Sequence, residues 1–364
     1  MKKRYLLLIP VVLCLAVSAA AIGYIQIHPE KAPEGTAFLV QTASKKQAQA
    51  AKEAETASLT ASQKQAKQLV EKMSLEQKLY QMLFVTPEAL TQTNQVVRAG
   101  AATQAAIEKR PVGGVLYTSQ SLQTKAQIKD MLSHTQNYAK ESKAGIPVFL
   151  GVQEQGGSHA PVAQALQTTS ILKADKNTDE KTAYALGQTL AEELRSVGFT
   201  VNFAPIVTTD KLAASEVKGL QENQVLSAVS AFPNSTDNSA FQACIKQNPA
   251  FMIVSNDTVK EYDTVPCSVS SKVMTDLLRK KLGYNGIIMT DALSDKELTD
   301  SYTEQKAAVL AVQAGADMLL EPSDVDAVYQ ALFQAVSDGK LTEQRIDESV
   351  QRILTAKIDG GLIA

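Results

Sequence analysis

The stretch Gly286-Ile287-Ile288-Met289-Thr290-Asp291-Ala292-Leu293-Ser294 runs from a glycine through large apolar residues to a single carboxylate. Such a run reads as a strand covered on both faces. Asp291 then stands at the strand's C-terminal end, where a parallel α/β barrel collects its chemistry. The competing reading is that Asp291 only caps the next helix. His159 follows the pair Gly156-Gly157 near another strand end and is the one histidine close to such a position. His28 and His134 are scattered, and no group of His, Cys and Asp has metal-ligand spacing. Neither a metal nor a cofactor is expected.

The elements that must position these groups alternate. Eight short apolar segments end near polar residues or turn formers: Met82–Val85, Gly113–Tyr117, Val148–Val152, Thr200–Pro205, Ala228–Pro233, Phe251–Asn256, Ile287–Asp291 and Met318–Pro322. Helical patterns fill most of the gaps, at Ala126–Tyr138, Glu180–Val197, Ser270–Leu282 and Thr303–Ala314, and Ser74 with Gln77 forms a capping box before a Leu75, Leu79, Met82 stripe. A final helix covers Glu343–Ala356 after Thr342. Strand and helix alternating eight times predict an α/β fold, a (β/α)8 TIM-like barrel over residues 61–364. A doubly wound open sheet is the rival, and the absence of a glycine-rich phosphate turn after the first strand argues against it.

Lys2-Lys3-Arg4 precedes an apolar run from Tyr5 to Ile25. Positive charge before about 20 apolar residues fits a signal anchor over residues 1–28. A cleaved signal peptide is the rival, because Val17-Ser18-Ala19 and Ala19-Ala20-Ala21 offer small residues for cleavage. Either reading places the rest of the chain outside the cytoplasm. Residues 29–60, rich in Ala, Gln, Lys, Glu and Thr, read as a stalk. Cys14 lacks the small residues that a lipoprotein signal wants before its cysteine. Cys244 and Cys267 form no disulfide framework and read as two buried thiols, although pairing stays open. The formal charge of −2 over 364 residues gives no electrostatic case for nucleic acid. The scarcity of aromatics, 5% with no Trp, weighs against a long sugar-stacking groove.

In this order and spacing, several motifs resemble the family 3 glycoside hydrolases, in particular the single-domain β-N-acetylhexosaminidases that trim bacterial cell-wall amino sugars. They are Met73-Ser74-Leu75-Glu76-Gln77-Lys78, Pro111-Val112-Gly113-Gly114-Val115, Asn202-Phe203-Ala204-Pro205, Leu277 through Leu293, Ala314-Gly315-Ala316-Asp317-Met318 and Arg345-Ile346-Asp347-Glu348-Ser349-Val350. The resemblance runs from about Leu69 to Leu362. It implies that Asp291 occupies the position of the nucleophile, which attacks the anomeric carbon and retains configuration.

The same resemblance marks departures. The family's acid/base loop reads Lys-His-Phe-Pro-Gly-His-Gly-Asp, and this chain has Ser230-Ala231-Phe232-Pro233-Asn234-Ser235-Thr236-Asp237. Ser235 stands where the proton-donating histidine belongs, Ser230 and Ala231 where Lys-His would hold the sugar, and Asp237 is retained. The family's Asp-x-Glu-Gly-Gly-Arg has become Gln153-Glu154-Gln155-Gly156-Gly157-Ser158. Glu154 is no replacement, because adjacent strand residues face opposite ways. The family's Arg-Ser-Phe-Gly segment is missing, and residues 208–227 read as one helix. Asp295 adds a like charge near Asp291, which disfavours the ionised form of Asp291. Gln153, Gln155, Ser158, His159, Ser230, Ala231 and Asn256 remain the substrate-contact positions. Three functions follow as expectations. The first is a catalytically impaired, membrane-anchored barrel that binds cell-wall glycan or a protein partner. The second is a working glycosidase of shifted specificity, with Asp291 as nucleophile and His159 as a relocated acid. The third is an assembly protein, which an apolar patch at the barrel mouth would favour.

Overall fold

The computed structural model describes residues 59–157, 159–168, 178–207 and 210–364. The segment expected over residues 1–28, nearly all of the expected stalk, and Ser158 lie outside the described residues. Among the described residues no helix is long and apolar enough to cross a membrane.

Within the compact unit Gln65–Ala364, eight parallel strands close into a barrel in sequence order, β1 pairing with both β2 and β8. They are β1 (Leu83–Val85), β2 (Gly114–Tyr117), β3 (Phe149–Val152), β4 (Val201–Asn202), β5 (Leu226–Phe232), β6 (Phe251–Val254), β7 (Ile287–Ala292) and β8 (Met318–Leu320). All eight expected segments contain or overlap a strand. β5 starts two residues earlier than expected, because Leu226 and Ser227 pair with Val201 and Asn202. The capping box at Ser74 and Gln77 is formed. The expected helix over 208–227 is Asp210–Glu222, and the closing helix runs Glu343–Asp359 behind Thr342. The segment expected as an ordinary helix over Ser270–Leu282 is wound as a π-helix, Lys272–Lys281. The Leu282 N–H closes on the Leu277 carbonyl at 2.9 Å, the five-residue step of that winding.

The barrel interior is filled rather than open. Phe84, Phe149, Phe203 and Phe251 pack as a ring cluster, with centroids 5.1 Å apart for Phe84–Phe203 and Phe149–Phe251. Gly151 makes room for it, since a Cβ there would stand 2.8 Å from the rings of Phe84 and Phe203. Below the cluster lies the buried Lys357, with Nζ 5.0 Å from the Phe149 ring centroid and 2.6 Å from Gln81 Oε1. Gln81 in turn donates to the Pro111 and Val112 carbonyls. Burial drives the Lys357 ammonium well below its ordinary range. Cys244 and Cys267 are buried free thiols.

One carboxylate ties the strands to the outer layer. Asp317, fully buried just before β8, accepts from Arg279 Nη2 at 2.7 Å, Arg352 Nη1 at 3.0 Å, Ser349 Oγ at 2.8 Å and the Ile288 N–H at 3.0 Å. Arg345 lies 3.5 Å away. The Asp317 N–H returns a bond to the Ile288 carbonyl at 2.7 Å. Removing one partner of a buried ionic group leaves the others unpaired and costs about 3–5 kcal/mol. Asp317→Ala is therefore expected to lower unfolding free energy by about that amount in denaturant titration. A loss below about 1 kcal/mol would show the node to be dispensable.

Candidate functional site

The strands deliver several sequence-flagged residues to one end of the barrel. Asp291 is the penultimate residue of β7 and half-buried. Its Oδ1 accepts from the Ala292 N–H at 2.9 Å. It caps no helix: Asp295 holds the N-cap position of the short helix Lys296–Thr299. Burial, and then the charges of Asp295, Asp257 and Glu297, push the Asp291 carboxyl up to about 6.

Asn256 follows β6 and is 4% exposed. Its Nδ2 donates to the Ala292 carbonyl at 2.8 Å and to Asp295 Oδ2 at 3.2 Å, while its Oδ1 has no partner. Asp295 is itself pushed up by burial and by Glu297, against the hydrogen bond from Asn256. Asp257 is held by Ser255, whose hydroxyl donates to its carboxylate at 2.8 Å.

Glu321 is a site residue that sequence reasoning missed. It directly follows β8, with a left-handed backbone at φ 46°. Its N–H donates to the Phe84 carbonyl at 2.8 Å. Burial, then the charges of Asp295 and Asp291, raise its carboxyl to about 7. The signal was present in Leu319-Leu320-Glu321-Pro322, a carboxylate at the end of an apolar run, the same pattern that marks Asp291.

The loop after β5 is folded on its own polar side chains. Asp237 is exposed and accepts from the Ser239 N–H at 2.8 Å and the Ser239 hydroxyl at 2.7 Å, which hold its carboxyl below the ordinary value. Asn238 Oδ1 accepts from the Asn234 N–H, and the Tyr262 hydroxyl joins Asn238 Nδ2 to the Asn234 carbonyl. Ser235 is exposed. Ser230 bridges to Ile206 of the neighbouring segment, and its buried Oγ has no partner. Ala231 has a left-handed backbone, φ 72°.

After β3, Gln153 is exposed and Gln155 half-buried. Gly156 and Gly157, at φ 76° and 61°, turn the chain so that Gln155 N–H reaches the His159 carbonyl at 2.8 Å. The His159 side chain is exposed. Glu154 faces away from this group and is fully buried. Its two carboxylate oxygens accept from the Val162 and Ala163 N–H groups, while Asn202 brackets its backbone. Just past β3, Gln153 is exposed and Glu154 buried, so the two do not share a face. Burial still raises Glu154 to about 7 against those two bonds. The structure therefore brings Asp291, Asn256, Asp295 and Glu321 into one interacting group. Asp237 is held within its own loop by Ser239. Among the described residues no group of three His, Cys, Asp or Glu could hold a metal ion.

The sequence model of the glycosyl hydrolase family 3 N-terminal domain matches residues 74–211 and 234–356. The stretch between the two blocks holds Ser230 and Ala231. Beta-hexosaminidase A of Pseudoalteromonas piscicida is 26% identical over 322 residues, 69% of this chain and 54% of its own length. Beta-hexosaminidase LpqI of Mycobacterium tuberculosis is 24% identical over 316 residues, 72% of this chain and 79% of its own. The chain spans about half the length of the first curated relatives it matches. A family 3 beta-N-acetylglucosaminidase from Paenibacillus sp. str. FPU-7 superposes with a TM-score of 0.72 at 24% identity, covering 80% of this chain and 64% of that one. That likeness shows the shared barrel.

Two titration outcomes follow. Asp295→Asn removes a like charge, so the Asp291 midpoint is expected to fall below about 6 in a carboxyl-resolved NMR titration. An unchanged or higher midpoint would contradict the coupling. Glu321 has a raised folded pKa, so its protonated form stabilises the fold below the ordinary glutamate range. That stability is lost as pH rises toward about 7. Glu321→Gln is accordingly expected to gain up to about 2 kcal/mol on the parent between pH 5 and pH 8. A pH-independent difference in melting temperature would overturn this.

Proposed function

The chain belongs to glycosyl hydrolase family 3 through its N-terminal-type barrel, and from that premise we propose an extracytoplasmic glycan-binding protein without efficient hydrolysis. Its ligand is an amino-sugar glycan of the cell wall, seated at the barrel mouth around Asp291. In this reading residues 1–28 direct the chain out of the cytoplasm, residues 29–60 form the stalk, and residues 61–364 carry the site.

One observation carries the catalytic part. Asp237, the retained carboxylate of the loop after β5, is committed to Ser239 and held below its ordinary value. At neutral pH it is an anion with no proton to give. Ser235 offers a hydroxyl that has no accessible pKa for acid work. Asp291 keeps the strand-end position of a nucleophile, but nothing in that loop protonates a leaving oxygen. Loss of such a group costs about 10²–10⁴ in rate. The names of the hexosaminidase relatives support an amino sugar as the ligand class. Gln153, Gln155, Ser158, His159, Ser230, Ala231 and Asn256 are the proposed contact positions, offering amide, hydroxyl and imidazole groups suited to sugar hydroxyls.

A glycan is favoured over a protein partner by the surface. Among the described residues the exposed large hydrophobics are Ile206 and Phe333. Ile206, beside Ser230, is one apolar side chain at the mouth and not the contiguous patch that a protein interface needs.

The test pairs turnover with binding. On a chromogenic N-acetyl-β-glucosaminide, the full chain is expected to turn over about 10²–10⁴-fold more slowly than a family 3 hexosaminidase that has the loop histidine. The full chain is also expected to bind cell-wall or chitin-derived oligosaccharides, more weakly when Asp291 becomes Ala. Turnover comparable to that enzyme and abolished by Asp291→Asn would overturn the impaired reading. No oligosaccharide binding would overturn the glycan reading.

A further inference from the structure

Asp291 stands in a β-bulge. Met289 pairs with Met318 and Ala292 with Leu320, so two residues of β7, Thr290 and Asp291, lie opposite one residue of β8, Leu319. On its other side β7 keeps step with β6 as far as Thr290, which pairs with Val254. The extra residue is therefore taken up at the carboxylate-bearing end of β7. Side chains alternate along a strand, so one inserted residue reverses the face that the following side chains present relative to the neighbouring strand. Bulges re-aim side chains in this way and disrupt the local ladder, so other bonds must hold them.

Two buried side chains supply such bonds, one on each flank of β7. Thr290, with no solvent exposure, accepts the Leu320 N–H on Oγ1 at 3.1 Å and ties the bulge to β8. Asn256, just past β6, donates through Nδ2 to the Ala292 carbonyl at 2.8 Å. That bond carries the β6–β7 link beyond its last ladder pair, Val254 with Thr290. The Ala292 backbone is thus held at both its polar groups, because its N–H meets Asp291 Oδ1 at 2.9 Å. The Leu293 N–H then rejoins β8 at the Leu320 carbonyl, 2.8 Å away. β5, the other neighbour of β6, bulges at a similar level, with Ser230 and Ala231 opposite Ile253. There Ser230 Oγ has no partner. A hydroxyl tie like that of Thr290 is therefore not an automatic result of bulging in this barrel.

We propose that Thr290 and Asn256 are positioning residues, which together fix the bulge that sets the direction of the Asp291 carboxyl toward its ligand. This rests on the reading that a glycan is seated around Asp291 and names what holds that carboxyl in place. Neither side chain needs to touch the sugar to do so. Loss of either tie releases the Ala292 backbone and with it the N–H that meets Asp291 Oδ1. A carboxylate that loses a donor takes up its proton more readily. The Asp291 midpoint then rises above its parent value of about 6, and a misdirected carboxyl weakens binding.

The experiment uses the full-length chain and reads three quantities: the Asp291 midpoint by carboxyl-resolved NMR titration, binding of a chitin tetrasaccharide by calorimetry, and melting temperature. Thr290→Val keeps volume and branching and deletes the acceptor, while Thr290→Ser keeps the hydroxyl. Asn256→Leu deletes the amide. Thr135→Val is the control for stability alone. It removes a similarly buried hydroxyl, bonded to the Tyr117 hydroxyl and the Met131 carbonyl, from the outer helix Lys125–Glu141. In Thr290→Val and Asn256→Leu the midpoint is expected to rise by at least about half a unit and binding to weaken about tenfold. Thr290→Ser is expected near the parent, and Thr135→Val to melt lower with midpoint and binding unmoved. A midpoint that stays or falls in either variant overturns the assignment of that residue, even where the variant melts lower or binds less tightly. Thr290→Ser behaving like Thr290→Val overturns the role of the hydroxyl. If Thr290→Val does not fold, Asn256→Leu and Thr290→Ser carry the test. A parent that binds no tetrasaccharide overturns the glycan reading, and the titration still decides whether the bulge positions Asp291.

Discussion

The structure depends on a buried charge that is fully met. Asp317 has no solvent contact, yet it accepts from two guanidinium groups, a hydroxyl and a backbone N–H, with a third arginine alongside. A carboxylate buried this way is tolerable only when such donors surround it. The donors come from the π-helix, β7 and the closing helix, so one side chain before β8 joins two consecutive elements to one far along the chain. Its reciprocal backbone bond with Ile288 sets β8 against β7 at their lower ends. Asp291 and Glu321 stand at the upper ends of the same two strands. The node at the floor thus fixes the spacing of the two carboxylates at the mouth.

The two ends of this strand pair treat the same chemistry in opposite ways. At the floor a carboxylate is saturated with cations and donors. At the mouth burial and neighbouring like charges disfavour the ionised forms of Asp291, Asp295 and Glu321, and Asn256 donates to Asp295. Such local conflict is the pattern expected of a site kept for a ligand rather than for stability, although Glu216, buried and also raised to about 7, shows that it occurs away from the mouth as well. Glu154 shows that burial alone does not mark such a site. It is also raised to about 7, but its oxygens are occupied by the N-terminus of the helix Pro161–Leu166. Partners, not the size of the shift, separate the two cases.

Most of the fold was legible in the sequence because each strand is buried on both faces and so reads as an uninterrupted apolar run. Ile287-Ile288-Met289 and Phe251-Met252-Ile253-Val254 are of this kind. β4 was harder, since only Val201 and Asn202 carry ladder pairing and the rest of Thr200–Pro205 is held by single bonds. The π-winding of Lys272–Lys281 was not legible, because its buried Val273, Met274, Leu277 and Leu278 also fit an ordinary helix. Of the site, Asp291 was found by its place at a strand end. Glu321 lay inside the expected segment Met318–Pro322 and was not singled out. The coupling of Glu321 to Asp291 requires β7 and β8 to be neighbours, which pairing shows and composition does not.

The loop after β5 separates shape from chemistry. Ala231 sits at φ 72°, which costs a residue with a Cβ roughly 1–2 kcal/mol. Bonds on either side hold it there: Ser230 N–H to the Pro205 carbonyl, Val207 N–H to the Ser230 carbonyl, and Ser255 N–H to the Phe232 carbonyl. Strain of this sort persists only where the surroundings over-determine it. Here those surroundings are backbone groups just past β4 and β6, so the chain keeps its path at Ser230 and Ala231 whatever side chains stand there. Beyond Pro233 the loop depends instead on the side chains of Asn234, Asp237 and Asn238. The contour of the mouth beside β5 is thus set by backbone bonds, and its chemistry by the side chains those bonds leave free to vary.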